Sequence, residues 1–176
     1  MKHNKTLIWV VMALMIASLL TGCGKANPAK EPGQPQEQEQ PQEPVDIEAL
    51  YEQGMAAIAK NAGEELPLLP EENPEFINEL FPGIMDIEMT QYKFALSPVT
   101  NGPVEVDIVE VKNHDDVQKV MDIFQARVDS LSEDDTYPEN AAAWKNNSRI
   151  TSRGNLVILA VLMDYWGDIP AEFILD

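Results

Sequence analysis

Leu156-Val157-Ile158-Leu159-Ala160-Val161-Leu162-Met163 is the stretch on which the fold turns. This unbroken apolar run has no polar alternation, so it predicts a central strand buried on both faces. Arg153-Gly154-Asn155 before it predicts a tight connection to a short strand over 149–152. Further out, Tyr92, Phe94 and Leu96 alternate in a strand over 92–99, and Thr100-Asn101-Gly102 turns the chain into a strand over 104–111. Asn-Gly tolerates positive φ, which makes it a strong reverse-turn signal. Pro98 and Pro103 sit near that turn, where a missing ladder donor costs least.

In the strand over 104–111, Val104, Val106 and Ile108 face one way and Glu105 and Asp107 the other. Val109 and Val111 break the alternation, so either a bulge intervenes or a helix covers the second face. Glu105 and Asp107 share a strand face and invite an acid–base reading, but the expected role is a solvated sheet face in an acidic protein.

Between the two hairpins, residues 114–132 are the clearest helix. Val117, Val120, Met121, Phe124, Val128 and Leu131 recur at steps of three and four, with Asn113 or Asp115 to cap the start. Arg127 follows the apolar stripe closely. Its stem is expected along packed surface with the guanidinium on a carboxylate, as a structural ion pair ahead of an anion or ligand contact. Glu133-Asp134-Asp135 lacks the spacing of a calcium loop. Tyr137-Pro138-Glu139 starts another helix, with Ala141, Ala142 and Trp144 on its buried face.

Towards the amino end, Asp46 caps a helix carrying Ile47, Leu50, Tyr51, Met55 and Ile58, weakened by Gly54 and ended by Gly63. Pro67 and Pro70 bracket Leu68 and Leu69 as an irregular apolar plug. Asn73-Pro74-Glu75 opens a short helix with Phe76, Leu80 and Phe81 inward. At the carboxyl end, Pro170 starts a short helical segment over 169–175. Tyr165 and Trp166 are explained either as a recognition patch or by packing of that segment. The order predicts an α+β domain over 46–176: a four-stranded, mostly antiparallel sheet with helices mostly on one face.

Ahead of the domain, Lys2 and Lys5 precede an apolar run over 7–20, short of the roughly 20 residues that cross a bilayer. Leu20-Thr21-Gly22-Cys23 follows at once. This resembles the lipobox of bacterial lipoproteins, which implies a signal peptide over 1–22 and a lipidated, membrane-anchored Cys23. Residues 23–45 are rich in Pro, Gln and Glu, and predict a disordered, partly polyproline II stalk reaching about 70 Å at most.

The formal net charge is −18 with 30 acidic and 12 basic residues, and loss of Lys2 and Lys5 with the signal takes it to about −20. Such a charge disfavours nucleic acid and anionic lipid surfaces. Cys23 is the single cysteine, so no disulfide is expected. Paired-histidine zinc motifs, His-Cys clusters and Gly-rich phosphate loops do not occur, so no metal or cofactor is expected.

Several short motifs resemble a family of uncharacterised lipoproteins of Gram-positive, clostridial-type anaerobes, the domain of unknown function 4358. Pro82-Gly83-Ile84-Met85-Asp86 stands at its Tyr-Gly-Ile-Asp motif without the tyrosine. Glu105-Val106 and the stretch over 109–112 are similar to its acidic strand ending in Lys-Val-Lys. Arg127 matches its helix arginine, and Tyr137-Pro138-Glu139 its Tyr-x-Pro-Glu with one residue missing. Gly154-Asn155-Leu156-Val157 resembles its Gly-Asn-Tyr-Val turn and strand, in which Gly154 takes a turn needing positive φ. The resemblance implies a surface lipoprotein domain and no assigned activity.

The expected function is therefore a non-enzymatic binding or interaction module, held to the lipid bilayer through acylated Cys23, with a surface or membrane protein as the expected kind of partner. The alternative is an accessory lipoprotein of a membrane complex. A carboxylate-based hydrolase is the least favoured reading.

Overall fold

In the computed structural model, which describes residues 45–99 and 101–175, the apolar run forms a strand that is buried at every position. It belongs to a five-stranded antiparallel sheet. In chain order the elements are α1 (Ile47–Ala62), β1 (Leu69–Glu71), α2 (Pro74–Leu80), β2 (Met89–Leu96), β3 (Glu105–Val111), α3 (Val117–Ser132), α4 (Pro138–Asn147), β4 (Ser148–Arg153) and β5 (Leu156–Val161). The spatial order is β1-β2-β3-β5-β4. The described residues belong to one unit, Gln40–Asp176. The α+β class is as expected, but the sheet has five strands rather than four.

The added strand is β1. Instead of an irregular plug, Leu69, Pro70 and Glu71 pair with Leu96, Ala95 and Phe94 at the sheet edge. Pro70 is tolerated because an edge strand leaves one side without a ladder, and Leu69 stays 57% exposed.

Helices cover both faces, not mostly one. One core joins Ile77 and Phe81 at the end of α2, the buried stripe of α3, and Trp144 of α4 to Phe94, Val109, Val157 and Leu159. The other joins Ile47 and Ile58 of α1, Trp166 and Phe173 to Val106, Ile108, Ile158 and Ala160. Of the two readings of Val109 and Val111, the covering helix is therefore correct at that face. Both central strands, β3 and β5, bury both faces, which explains why an antiparallel sheet here shows little polar alternation.

Local chemistry sets the element ends. Asp46 accepts from the Glu48 and Ala49 amides at 3.1 Å, and Gly63 closes α1 in the left-handed region at φ 80°. Asn73 caps α2, where Ile77 is buried and Phe76 points outward at 40% exposure, contrary to the expected inward set. In α4 the buried alanines are Ala141 and Ala143, while Ala142 is exposed. Asn113 caps the turn over His114–Asp116 that leads into α3. Asn101 adopts φ 56° as an Asn-Gly turn requires, but the strands stop at Leu96 and resume at Glu105, so the connection is longer than a tight hairpin. Gly154 has φ 57° and opens the two-residue turn between Arg153 and Leu156.

Gly54 is needed for closeness rather than flexibility. A Cβ there would lie 2.1 Å from Phe173 Cζ, because α1 packs directly on the carboxyl-terminal turn. Gly54→Ala is therefore expected to destabilise the fold by about 1–3 kcal/mol through overpacking, although alanine is the better helix former. A lower urea midpoint, partly restored by Phe173→Leu, is the expected outcome; a raised midpoint for Gly54→Ala alone would refute the close contact.

Candidate functional site

Arg127 lies on the same stripe of α3 as Val120, Phe124 and Leu131, and that stripe faces the sheet. Its guanidinium meets Glu105 of β3: Nε donates to Oε1 and Nη2 to Oε2, each at 2.7 Å. Its Cζ stands 5.0 Å from the centroid of the Phe81 ring and 5.6 Å from that of Trp144. Forked hydrogen bonds and aromatic rings beside them engage both the donor fork and the cationic face of the guanidinium. The Arg127 side chain is 13% exposed and that of Glu105 2%.

Asp107 is fully buried on the same face of β3. Its Oδ1 accepts from the Ala95 amide at 3.3 Å, and its Oδ2 has no hydrogen-bond partner among the described residues. Burial, then the neighbouring Glu105 charge, push its carboxyl well above the usual range, and Arg127 offsets this only in part. The surroundings of Asp107 thus favour its protonated form, beside a Glu105 that accepts the two hydrogen bonds of Arg127. Arg127 stays cationic: burial opposes its charge, but the hydrogen bonds and charge of Glu105 prevail.

The expected solvated face for Glu105 and Asp107 is therefore overturned. One sequence signal pointed the other way: the same face carries Val109 and Val111, and an arginine on the apolar stripe of α3 needs a carboxylate opposite. A neutral acid beside a carboxylate is the pairing that acid–base chemistry uses. Here both groups are closed off from solvent, so the arrangement works as a core ion pair.

The cluster extends outward through Trp144. Its Nε1 donates to the Asn101 carbonyl at 3.4 Å, and Asn101 Nδ2 donates to Asp134 Oδ2 at 2.8 Å. Asp134 also accepts from the Thr136 amide at 2.9 Å, and that bond, first among the causes, holds its carboxyl below the usual range. The acidic loop is thus organised by its own backbone. Among the described residues no group of three or more His, Cys, Asp or Glu could hold a metal ion.

A solvent-facing cleft of about 400 Å³ lies where the α4–β4 junction meets the carboxyl-terminal segment. Arg149, Asn147, Asp164, Asp168 and Ile169 line it. Asn147 Nδ2 donates to Asp164 Oδ1 at 2.6 Å and to the Leu162 carbonyl at 3.1 Å, which fixes one wall. The rings of Tyr165 and Trp166 stand side by side, their centroids 5.5 Å apart. Tyr165 is 68% exposed, whereas Trp166 is 6% exposed and sits in the α1-side core. Gly154 is a turn residue between β4 and β5. Cys23, with the expected signal peptide over 1–22 and residues 24–44 of the expected stalk, lies outside the described residues. Among the described residues no helix is long and apolar enough to cross a membrane.

Removing Arg127 leaves Glu105 buried without a counter-charge, so Arg127→Met is expected to cost about 3–5 kcal/mol, much of it regained in Arg127→Met/Glu105→Met. Urea unfolding of the set measures this; an unchanged midpoint in the single variant would contradict the buried pair. Asp107 has a second signature. Because its folded pKa is raised, the fold favours its protonated form, and this contribution is lost as pH rises from about 4 through the folded pKa. Asp107→Asn is therefore expected to gain on the native chain as pH is raised, and a pH-independent difference in unfolding free energy would show Asp107 to be ionised.

Residues 63–162 match the family described as domain of unknown function (DUF4358). No curated protein matches the chain. No solved structure matches it either. The matched span runs from the end of α1 through β5 and holds the whole Arg127–Glu105–Asp107 cluster. The chain belongs to the DUF4358 family.

Proposed function

We propose that the chain is a lipid-anchored surface protein of a Gram-positive bacterium whose folded domain is a non-catalytic binding module. The observation that carries this reading is Leu20-Thr21-Gly22-Cys23 directly after the apolar run, with two lysines before it. In this reading Cys23 becomes the first residue, its sulfur bearing a diacylglyceryl group with palmitate-type chains. Two chains give a stable anchor where one is marginal, since each buried methylene contributes about 0.8 kcal/mol. The Pro-rich stretch then holds the domain off the outer face of the cell membrane.

The domain's geometry supports binding over catalysis. Its closest approach to an acid–base pair, Glu105 with Asp107, is committed to the core with Arg127. The polar groups that do face solvent around a concavity, Arg149, Asp164 and Asp168, suit recognition of a polar partner.

Mass spectrometry of the protein from its native membranes tests the anchor. The expected amino-terminal peptide begins at Cys23 and carries a diacylglyceryl thioether, and Cys23→Ala is expected to leave the membrane fraction or accumulate as precursor. A bare thiol, or another first residue, would refute it. Crosslinking on the same membranes tests the module: a separable partner fits a binding module, and a constant stoichiometric membrane complex would make it an accessory subunit instead.

A further inference from the structure

The segment from Asn140 to Met163 contains no aspartate or glutamate, although the chain has 30 acidic residues. It carries Lys145, Arg149 and Arg153. The last two lie on β4, which among the described residues has a neighbour on one side only, β5. Both are exposed, and among the described residues neither meets a carboxylate. The third arginine of the chain, Arg127, is the one committed to the core. A surface rich in carboxylates is thus interrupted by two arginines on one sheet edge, with Asp164 and Asp168 across the cleft that Arg149 lines.

The register says what that edge offers. Val111 N donates to the Asn155 carbonyl at 2.9 Å, so the odd residues of β5 turn their backbone groups to β3 and the even ones to β4. Leu156, Ile158 and Ala160 pair with Arg153, Thr151 and Arg149. The backbone N–H and C=O groups of Ser148, Ile150 and Ser152 therefore point away from the sheet. Arg149 Nη1 occupies the Ser148 carbonyl at 2.7 Å, and the outward groups of Ile150 and Ser152 make no backbone bond among the described residues. Arg149 and Arg153 share one face of the strand, about 14 Å apart at about 3.4 Å per residue. Half-buried Ile150 lies on the other face, beside the α3-side core.

We propose that β4 is a docking edge for an extended acidic segment of a partner protein, which adds as a further strand. Backbone hydrogen bonds to Ile150 and Ser152 set its register, carboxylates on one face pair with Arg149 and Arg153, and apolar residues on the other rest beside Ile150. The inference rests on the reading of the domain as a binding module and deepens it. A peptide is favoured over nucleic acid because the phosphate backbone would face the whole chain's net charge of −18, whereas a short strand meets only the edge.

The test uses the full-length chain purified in detergent and a fluorescein-labelled peptide alternating valine and glutamate. Fluorescence anisotropy is expected to show binding that weakens at about 1 M salt, where the screening length is about 3 Å. It should fall by about tenfold or more in Arg149→Glu/Arg153→Glu, whose side chains are exposed and whose fold circular dichroism verifies. Ser152→Pro removes one outward N–H and spares the ladder to β5, so it should weaken binding as well. A peptide that does not bind, equal binding by the arginine variant, equal binding of the valine–lysine peptide, or preference for a labelled single-stranded oligonucleotide would each overturn the docking edge. None of these outcomes touches the anchor, which the mass of the amino-terminal peptide decides separately.

Discussion

Burying a guanidinium beside a carboxylate costs several kcal/mol per ion in desolvation, and the pair persists only where geometry returns most of that cost. Arg127 meets the condition with two parallel hydrogen bonds to Glu105 and aromatic rings of Phe81 and Trp144 near its centre. Four elements must be in place at once: α3 supplies the arginine, β3 the carboxylate, and the ends of α2 and the body of α4 the rings. An apolar contact at the same place would tolerate sliding of α3 over the sheet. A forked ion pair does not, because a shift of one turn leaves Glu105 alone in the core.

Asp107 shows how the same cluster stays balanced. With two carboxyls and one arginine on a buried face, a second negative charge would have no counter-charge, so the cheaper state is the protonated acid. Its Oδ1 still accepts from the Ala95 amide, which ties β2 to β3 beside the ladder itself. Among the described residues Glu105 and Asp107 are the buried acidic side chains, and the other carboxylates lie outside the buried core. The edge strand β4 carries the two arginines that the core does not use, and Arg149 shares the cleft at its amino end with Asp164 and Asp168.

Membership in the DUF4358 family and the α+β fold define a scaffold with a conspicuous polar core and a solvent-facing cleft. Groups that resemble catalytic machinery in the sequence are committed to holding layers together. Among the described residues, accessible groups include backbone at an edge, two arginines and a mixed polar concavity, and the proposed recognition role draws on these. A tethered position at a membrane would add effective concentration to such recognition without requiring high intrinsic affinity.

Local chemistry was readable where a residue's neighbours in sequence decide its state. The caps Asp46 and Asn73, the left-handed Gly63, Asn101 and Gly154, the α3 stripe and the buried β5 run all follow from backbone sterics and periodicity over a few residues. Three features were not readable, for one shared reason. Leu69-Pro70-Glu71 becomes a strand only because the edge of β2 is there to pair with it. The second helical layer exists because α1 and Phe173 meet across Gly54, residues far apart in the chain. Glu105 and Asp107 turned from surface charges into core groups because α3 delivers Arg127 over them. The sequence by itself determined most of the helices, strands and turns, and the family. The tertiary structure decided the fifth strand, the covering of both faces and the fate of the carboxylates, because a charge is soluble or buried according to what is packed above it, and that partner is distant in sequence.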